Sequence, residues 1–435
     1  MEIKRFEEKY PALTMHDEVK KTLNLLEAGN FVQVVGLPGT GKSTLLRLLA
    51  YNSEVKKLHL GSKTDTYHFV YMNFVEVAKR NISEVTKYML ISLQSSLSER
   101  GTSEAEYVKK QLSEAILVND EMVYFQNLKQ SVEYMSSKGI KTVLLIDRLE
   151  YYFSYMDERF FANLRVLRNS AKYSFSAVFS LNRPLDMTLE RALMGEIYDL
   201  VAGNTVFVGI THPEGVEFRM RHLEEITGKS CSDEIKSALL KLAAGHGKLT
   251  KVGYEAVLER SCGQEEMEEF LLSRRQVRGA LSEIWNYFTL EEKRVLLGKV
   301  KNGDVDKFLA SLGIQRDGEI TIPLLKGYIE EKSKELTSLS YETEKRAIMR
   351  GGVDITEIFS PSEFRLVRYL LEHKGVIVPR DELVDYIWGE LATREGVTPQ
   401  AFDQLLYRVR KKIEEDPSSP KILTTIKGQG YRLKS

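Results

Sequence analysis

An eight-residue run, Gly36-Leu37-Pro38-Gly39-Thr40-Gly41-Lys42-Ser43, sits between an apolar run, FVQVV (31–35), and a helix-like run, STLLRLLAYN. A chain that passes from a buried strand through three closely spaced glycines into a helix must curl its backbone at the turn. Glycine permits the curl, and the N–H groups then point inward around an anion. The helix N-terminus adds favourable partial charge. Strand, full motif and helix together read as a phosphate-binding loop. Its predicted binding residues are Gly36, Pro38, Gly39, Thr40, Gly41, Lys42, Ser43 and Thr44. Lys42 is expected to reach the β- and γ-phosphates and Ser43 to ligate Mg²⁺ through its hydroxyl, so the expected cofactors are ATP and Mg²⁺.

The following chain supplies a sheet for this loop. HFVYMNF (68–74), KTVLLID (141–147), FSAVFSLN (175–182) and NTVFVGI (204–210) read as strands. Helical patterns fill 80–137, with a polar gap near Ser98–Glu104, and recur over 157–169. Strands apolar on both faces and alternating with helices predict a mostly parallel α/β sheet. Asp147, an acid at the tip of a buried strand, is the expected second Mg²⁺ partner, acting through water. The alternative is a strand-end cap. After Thr211 the strand signals stop, and 213–270 read as short helices broken near Gly228 and at Gly245-His246-Gly247-Lys248. LSEIWNYFTLEEKRVLLGKV and then ASLGIQRDGEITIP give helices followed by a small hairpin, a winged-helix outline. Residues 328–349 are charged and predicted helical, with Gly351-Gly352 as a hinge.

Composition limits the partners. Lys+Arg and Asp+Glu are both 62 among 435 residues, so any basic surface must be local. Two cysteines, Cys231 and Cys262, are too few for a disulfide framework or a four-ligand zinc site. No apolar run approaches the ~18–20 residues that span a bilayer, and MEIKRFEEKYPAL lacks the apolar core of a signal peptide. The expectation is a cytoplasmic protein with no membrane partner.

The LLID of 144–147, the strand ending at Asn182 and the helical stretch around Gly245–Lys248 resemble AAA+ and STAND-type P-loop ATPases, including archaeal origin-recognition ATPases, over residues 10–335. ALSEIWNYFTLEEKRVLL with ITIPLLKGYI resembles the winged helix that follows the lid in these proteins. Such ATPases place a glutamate directly after the strand-end aspartate. Here Arg148 stands there, and the nearest glutamate is Glu150, either a displaced catalytic base or a solvated surface charge. Asn182 is the second candidate catalytic residue, bonding the γ-phosphate or the attacking water, or else it is a turn residue before Pro184. Arg183 is a weaker candidate for the same region. The resemblance also implies a Gly-His-Pro stretch near the nucleotide. Gly247 replaces the proline here, and His246 is either a nucleotide contact or a helix-end histidine.

The last segment carries a second, independent signal. FSPSEFRLVRYLLEHKGVIVPRDELVDYIW gives two helices, and TPQAFDQLLYRVRKKIEE gives a third with Phe402, Leu406, Val409 and Ile413 on its core face. The other faces present Gln404, Tyr407, Arg408, Lys411 and Lys412. ILTTIKGQGYRL follows as two short strands around Gly428. From Pro399 to Ser435 eight bases face four acids, a local charge of +4 suited to phosphate contacts. SPSEFRLVRYLLEHKG, the Arg380–Leu383 helix start with Trp388, RVRKKIEED and TIKGQGYRL resemble the OmpR/PhoB-type winged-helix DNA-binding domain. That resemblance implies a third helix in the major groove and a wing on the backbone or minor groove of double-stranded DNA. Arg408 is the expected guanine reader and Gln404 the expected adenine reader. Lys411, Lys412, Lys427 and Arg432 are expected to position the domain on phosphates, with Tyr407 and Gly428 beside them. No receiver-domain pattern precedes this reader.

The expected fold is therefore α/β: a P-loop NTPase parallel sheet with a helical lid, followed by two winged-helix (α+β) domains. The expected division is 1–210 core, 211–272 lid, 273–335 first winged helix, 336–352 linker and 353–435 second winged helix. The expected function is an ATP-binding, nucleotide-regulated DNA-binding protein, a transcription regulator acting as an ATP/ADP switch, with homo-oligomerisation on ATP binding as a candidate output. The alternatives are an initiator-like, DNA-remodelling or defence ATPase that hydrolyses ATP actively, and a scaffold whose winged helices contact proteins.

Overall fold

Each core strand is apolar on both faces, so it can be stable only with cover on both sides. The computed structural model describes residues 5–434 apart from 211, 261, 299, 338, 351–352, 390–397 and 415, so the expected boundary at Thr211 and the Gly351-Gly352 hinge lie outside the described residues. The chain forms two compact units, Met1–Gly327 and Tyr328–Ser435.

In the first unit, β1 (Val32–Val35), β2 (Tyr67–Asn73), β3 (Lys141–Asp147), β4 (Phe175–Leu181) and β5 (Thr205–Phe207) form one sheet in the order β2-β3-β4-β1-β5. All its pairings are parallel. Val35 pairs with both Leu181 and Phe207, and Asn73 pairs with Asp147. These registers bring Gly36, Asn182 and Asp147 to one edge, the carboxyl end of the strands, where open α/β sheets bind ligands. Helices α1 (His16–Glu27) and α2 (Lys42–Tyr51) pack on the sheet through Val19, Leu23 and Leu26 and through Leu45, Leu46, Leu48 and Leu49. The predicted polar gap separates α4 (Ile82–Glu99) from α5 (Ala105–Val118), and α6 (Glu121–Ser137) follows, with α3 (Ser53–Leu60) lying before β2.

The four lid helices are α8 (Pro213–Thr227), α9 (Asp233–Ala243), α10 (Gly247–Glu259) and α11 (Met267–Ser273), with α7 (Glu158–Ser170) in the core before them. Next come α12 (Arg275–Tyr287), α13 (Leu290–Leu296) and α14 (Gly303–Ser311), then a two-stranded hairpin, β6 (Gln315–Arg316) with β7 (Glu319–Ile320). Helices followed by a small hairpin make a winged-helix outline. This segment packs on the sheet domain: the rings of Phe207 and Phe308 lie 6.5 Å apart, edge to face.

In the second unit the helical reading of 328–349 is corrected. The helix α15 (Pro323–Thr337) stops, and β8 (Leu339–Glu342) pairs antiparallel with β9 (Ala347–Arg350), which pairs in turn with β10 (Val353–Asp354). Leu339 and Ile348 are fully buried with the winged-helix core, so apolar burial outweighs the helix-favouring charges between them. α16 (Pro361–Glu372) starts with a capping box, Ser360 and Glu363, with Pro361 at its first position. α17 (Arg380–Trp388), α18 (Pro399–Ile413), β11 (Leu423–Ile426) and β12 (Gly430–Leu433) complete the unit. Phe402, Leu406, Val409 and Ile413 are buried as expected, and Leu405 joins them. Gly430 is irreplaceable here: its φ is +141°, and a Cβ would lie 2.1 Å from the Val378 carbonyl oxygen.

Candidate functional site

The phosphate loop follows β1 and opens α2 at Lys42. Gly41 precedes the helix at φ +110° and Gly39 lies at φ +83°, both conformations that favour glycine. The loop lines a cleft of about 820 Å³ that also holds Thr44, Asp147, Glu150 and Asn182. The fold therefore gathers the loop, the strand-end acid and both catalytic candidates at one place.

Within the cleft, Lys42 turns back on its own loop. Its ammonium donates to the carbonyls of Gly36 (2.6 Å) and Leu37 (3.0 Å). Burial pushes its pKa down to about 8, against the pull of Glu150, Asp147 and Glu283. Asp147 is 1% exposed. Its Oδ2 accepts from the Tyr71 hydroxyl at 2.8 Å, while its Oδ1 is buried without a partner. Glu150 accepts from the Asn182 amide. Burial raises its carboxyl above the usual range, although the Asn182 amide and Lys42 oppose the rise.

Two elements outside the loop reach into this cleft. The lid does so through α10. His246 is fully buried and caps that helix, accepting from the Leu249 amide at Nδ1 (3.2 Å), so its Nε2 is the nitrogen that donates to the Pro38 carbonyl (3.0 Å). Burial holds it neutral, with the pKa down to about 4. It is thus a helix-end histidine that grips the loop backbone. The Lys248 amide donates to Gly39 O at 3.1 Å, and a Cβ on Gly39 would meet the Lys248 Cβ at 2.6 Å. The first winged helix reaches in through α12. Glu283 takes the Lys248 ammonium, and the Tyr287 hydroxyl donates to Asn182 O at 2.7 Å.

Beside the cleft, Arg183 grips Glu292 of α13 with two N–H donors, at 2.7 and 2.6 Å, and donates a third bond to Tyr287 O. Burial would raise the Glu292 carboxyl, but the Arg183 bonds and the Thr289 amide hold it below the usual range. Arg183 is therefore committed to the winged helix in this arrangement. The partners of Tyr71, Lys248 and Arg183 lie 76, 35 and 109 residues away, so no local motif signals them.

On the second unit, Gln404, Tyr407, Arg408 and Lys411 share the exposed face of α18, and Lys412 is half-buried beside it. Lys427 and Gly428 form the exposed wing turn, with Gly428 at φ +74°. Arg432 lies on β12, its Nε buried without a partner. Arg408 is not free: its Nε donates to Glu363 Oε1 at 3.2 Å, and Lys412 pairs with the other oxygen of the same carboxylate, which is 2% exposed. Burial would raise the Glu363 carboxyl, but Lys412 and the Ser360 amide hold it low. Arg410 braces the wing by donating to Leu423 O and Thr425 Oγ1.

Residues 356–433 match the family described as "Transcriptional regulatory protein, C terminal". The C-terminal unit is thus a domain of the OmpR/PhoB DNA-binding type. Similar proteins include the sensory transduction protein RegX3 of Mycolicibacterium smegmatis, 37% identical over 92 residues, which cover 21% of this chain and 38% of the relative. The chain therefore spans about two fifths of that relative's length. Among solved structures, the RstA DNA-binding domain of Klebsiella pneumoniae, in complex with the RstA box, is 28% identical, covering 22% of this chain and 91% of that one at a TM-score of 0.20. The Walker-type ATPase of Pyrococcus abyssi is 16% identical, covering 80% of this chain and 95% of that one at a TM-score of 0.42. No helix among the described residues is long and apolar enough to cross a membrane.

Proposed function

We propose that this chain is a cytoplasmic transcription regulator that binds ATP with Mg²⁺ and whose binding to double-stranded DNA depends on the nucleotide. The observation that carries this reading is the convergence of loop, lid and first winged helix on one cleft, in a chain that also holds an OmpR/PhoB-type reader. Lys42 exchanges its two loop carbonyls for phosphate oxygens, and the loop amides take the rest of the charge. Ser43 and Asp147 fit a hard cation, which commonly takes one or two protein oxygens beside phosphate oxygens and water. The unpartnered Asp147 Oδ1 supports that fit. Mg²⁺ held there would neutralise the β- and γ-phosphate charge.

ATP and ADP can shift the arrangement only if they bind its alternatives unequally. Lys248–Glu283, Tyr287–Asn182 and Arg183–Glu292 are the contacts through which a γ-phosphate would be felt by the lid and the winged helix. At the reader, Arg408 and Gln404 meet base edges while Tyr407, Lys411, Lys412, Lys427, Gly428 and Arg432 hold the backbone. DNA affinity and oligomeric state, measured across salt concentrations with ATP, ADP and no nucleotide, test the switch. Identical values in all three conditions refute it.

Glu150 in the cleft, with a raised pKa, favours a second reading in which hydrolysis is active, as in a DNA-remodelling, initiator-like or defence ATPase. DNA-stimulated turnover abolished by Glu150→Gln would select it over a slow switch.

A further inference from the structure

We propose that Tyr71 is the positioning residue for the metal-binding carboxylate, fixing one oxygen of Asp147 so that the other is left for the cation that accompanies a bound nucleotide. This inference rests on the nucleotide reading above and adds a residue that no phosphate-loop motif contains.

β2 and β3 run parallel with Tyr71 opposite Leu145 and Asn73 opposite Asp147. Side chains two residues apart on a strand share a face, so Tyr71 and Asp147 project to the same side on adjacent strands. The phenol reaches diagonally and donates to Oδ2 at 2.8 Å. A phenol ordinarily loses its proton only near pH 10, so at neutral pH it is a donor to the carboxylate. Oδ1 has no partner and almost no access to solvent. A buried carboxylate with one satisfied and one orphaned oxygen needs an explanation, because buried polar atoms are nearly always bonded. A water on a divalent cation supplies the missing donor.

Tyr71 is itself held from the loop side. The Arg47 guanidinium lies 5.1 Å from its ring centroid and donates to Glu7 Oε1 at 3.1 Å, and the Tyr51 ring lies 6.1 Å away. Positions 43, 47 and 51 fall on one face of α2 at a spacing of four. The face that carries Ser43, the other expected cation ligand, therefore also carries the two side chains that buttress Tyr71. One helix face and one phenol thus set the spacing between both oxygen ligands. Partners of metal ligands commonly change metal affinity 10–100-fold when removed.

The test uses the full chain, ATP, and Mn²⁺ as a paramagnetic stand-in for Mg²⁺. ATP affinity is measured in EDTA, and the Mn²⁺ concentration that half-saturates the ATP complex is read by electron paramagnetic resonance. Tyr71→Phe keeps the ring and removes only the donor. It should leave ATP affinity in EDTA unchanged and raise the Mn²⁺ requirement about tenfold or more. Asp147→Asn should raise the requirement too, and adding Tyr71→Phe to it should change nothing further. An unchanged Mn²⁺ requirement in Tyr71→Phe, or an equal loss of ATP affinity in EDTA, overturns the proposal and leaves the nucleotide reading standing. A wild-type chain that binds ATP in neither condition overturns both.

Discussion

The pair Arg183–Glu292 allows a quantitative test of whether the first winged helix is locked to the sheet domain. The carboxylate of Glu292 is 7% exposed and the guanidinium of Arg183 18%, and the bond is two-pronged at 2.6 and 2.7 Å. Arg183 also lies 4.7 Å from the Tyr287 ring centroid and 5.4 Å from that of Phe308. Removing one partner of such a buried pair strands the other charge and costs about 3–5 kcal/mol, whereas an exposed pair contributes about 0.2–1 kcal/mol. Arg183→Met and Glu292→Met should each cost several kcal/mol. The double variant should recover most of that, because an apolar pair of similar volume avoids desolvation altogether. Trp285 provides the readout: it is 5% exposed in α12, and the other tryptophan is Trp388, so a Trp388→Phe background reports on the first winged helix alone. Urea denaturation followed by Trp285 fluorescence yields the cycle. A coupling energy within the ~0.3–0.5 kcal/mol typical of independent sites would refute the lock. The pH dependence has a definite sign. Glu292 titrates lower in the folded state, so its contribution is complete above the ordinary carboxylate pKa of 4.5 and is lost as pH falls through its depressed value.

Lys42 predicts a pH limit on nucleotide affinity. Its ammonium loses its proton near pH 8 in the free protein, so ATP affinity should fall about tenfold per pH unit above that value, until the nucleotide-bound lysine itself titrates. Flat affinity from pH 7 to pH 9.5 would contradict this. Glu363→Gln should release Arg408 and Lys412 from a shared carboxylate. Non-specific DNA binding should then tighten at low salt, with the slope of log K against log salt steeper by up to about 0.9, the value of one further phosphate contact. An unchanged slope would show that neither cation is restrained by Glu363.

What could be read in the sequence was what is local. The phosphate loop is eight consecutive residues, and Asp147 ends a strand recognisable by its own apolar run. The C-terminal winged helix followed from the order of its three helices and two short strands. The hairpin Leu339–Arg350 escaped because its turn lacks the usual signs. Arg346 takes the left-handed conformation, φ +51°, where glycine or asparagine would have marked a turn. The roles of Tyr71, Arg183 and Glu363 were hidden for another reason. Each depends on a partner brought close only by sheet register or by domain packing, and a tyrosine, arginine or glutamate carries no sign of which it will find.

In the proposed switch, the contacts that a nucleotide would disturb are not equivalent. Lys42 spends its donors on two carbonyls that phosphate oxygens can replace bond for bond, so its move costs little net hydrogen bonding. The lid grips backbone atoms of the loop at Pro38 and Gly39, and these contacts are compatible with a filled loop only if the loop keeps its curl. The winged helix is different. Its tie runs through Asn182 and Arg183, immediately after β4, where a γ-phosphate or its attacking water would compete for the same segment. A diphosphate would leave that segment alone. Discrimination between ATP and ADP should therefore reside in the Asn182–Arg183 turn and not in the loop. Tyr287→Phe, which removes the 2.7 Å bond to Asn182 O but leaves the loop and lid contacts intact, should narrow the difference between ATP and ADP in DNA binding while leaving the affinity for ADP unchanged.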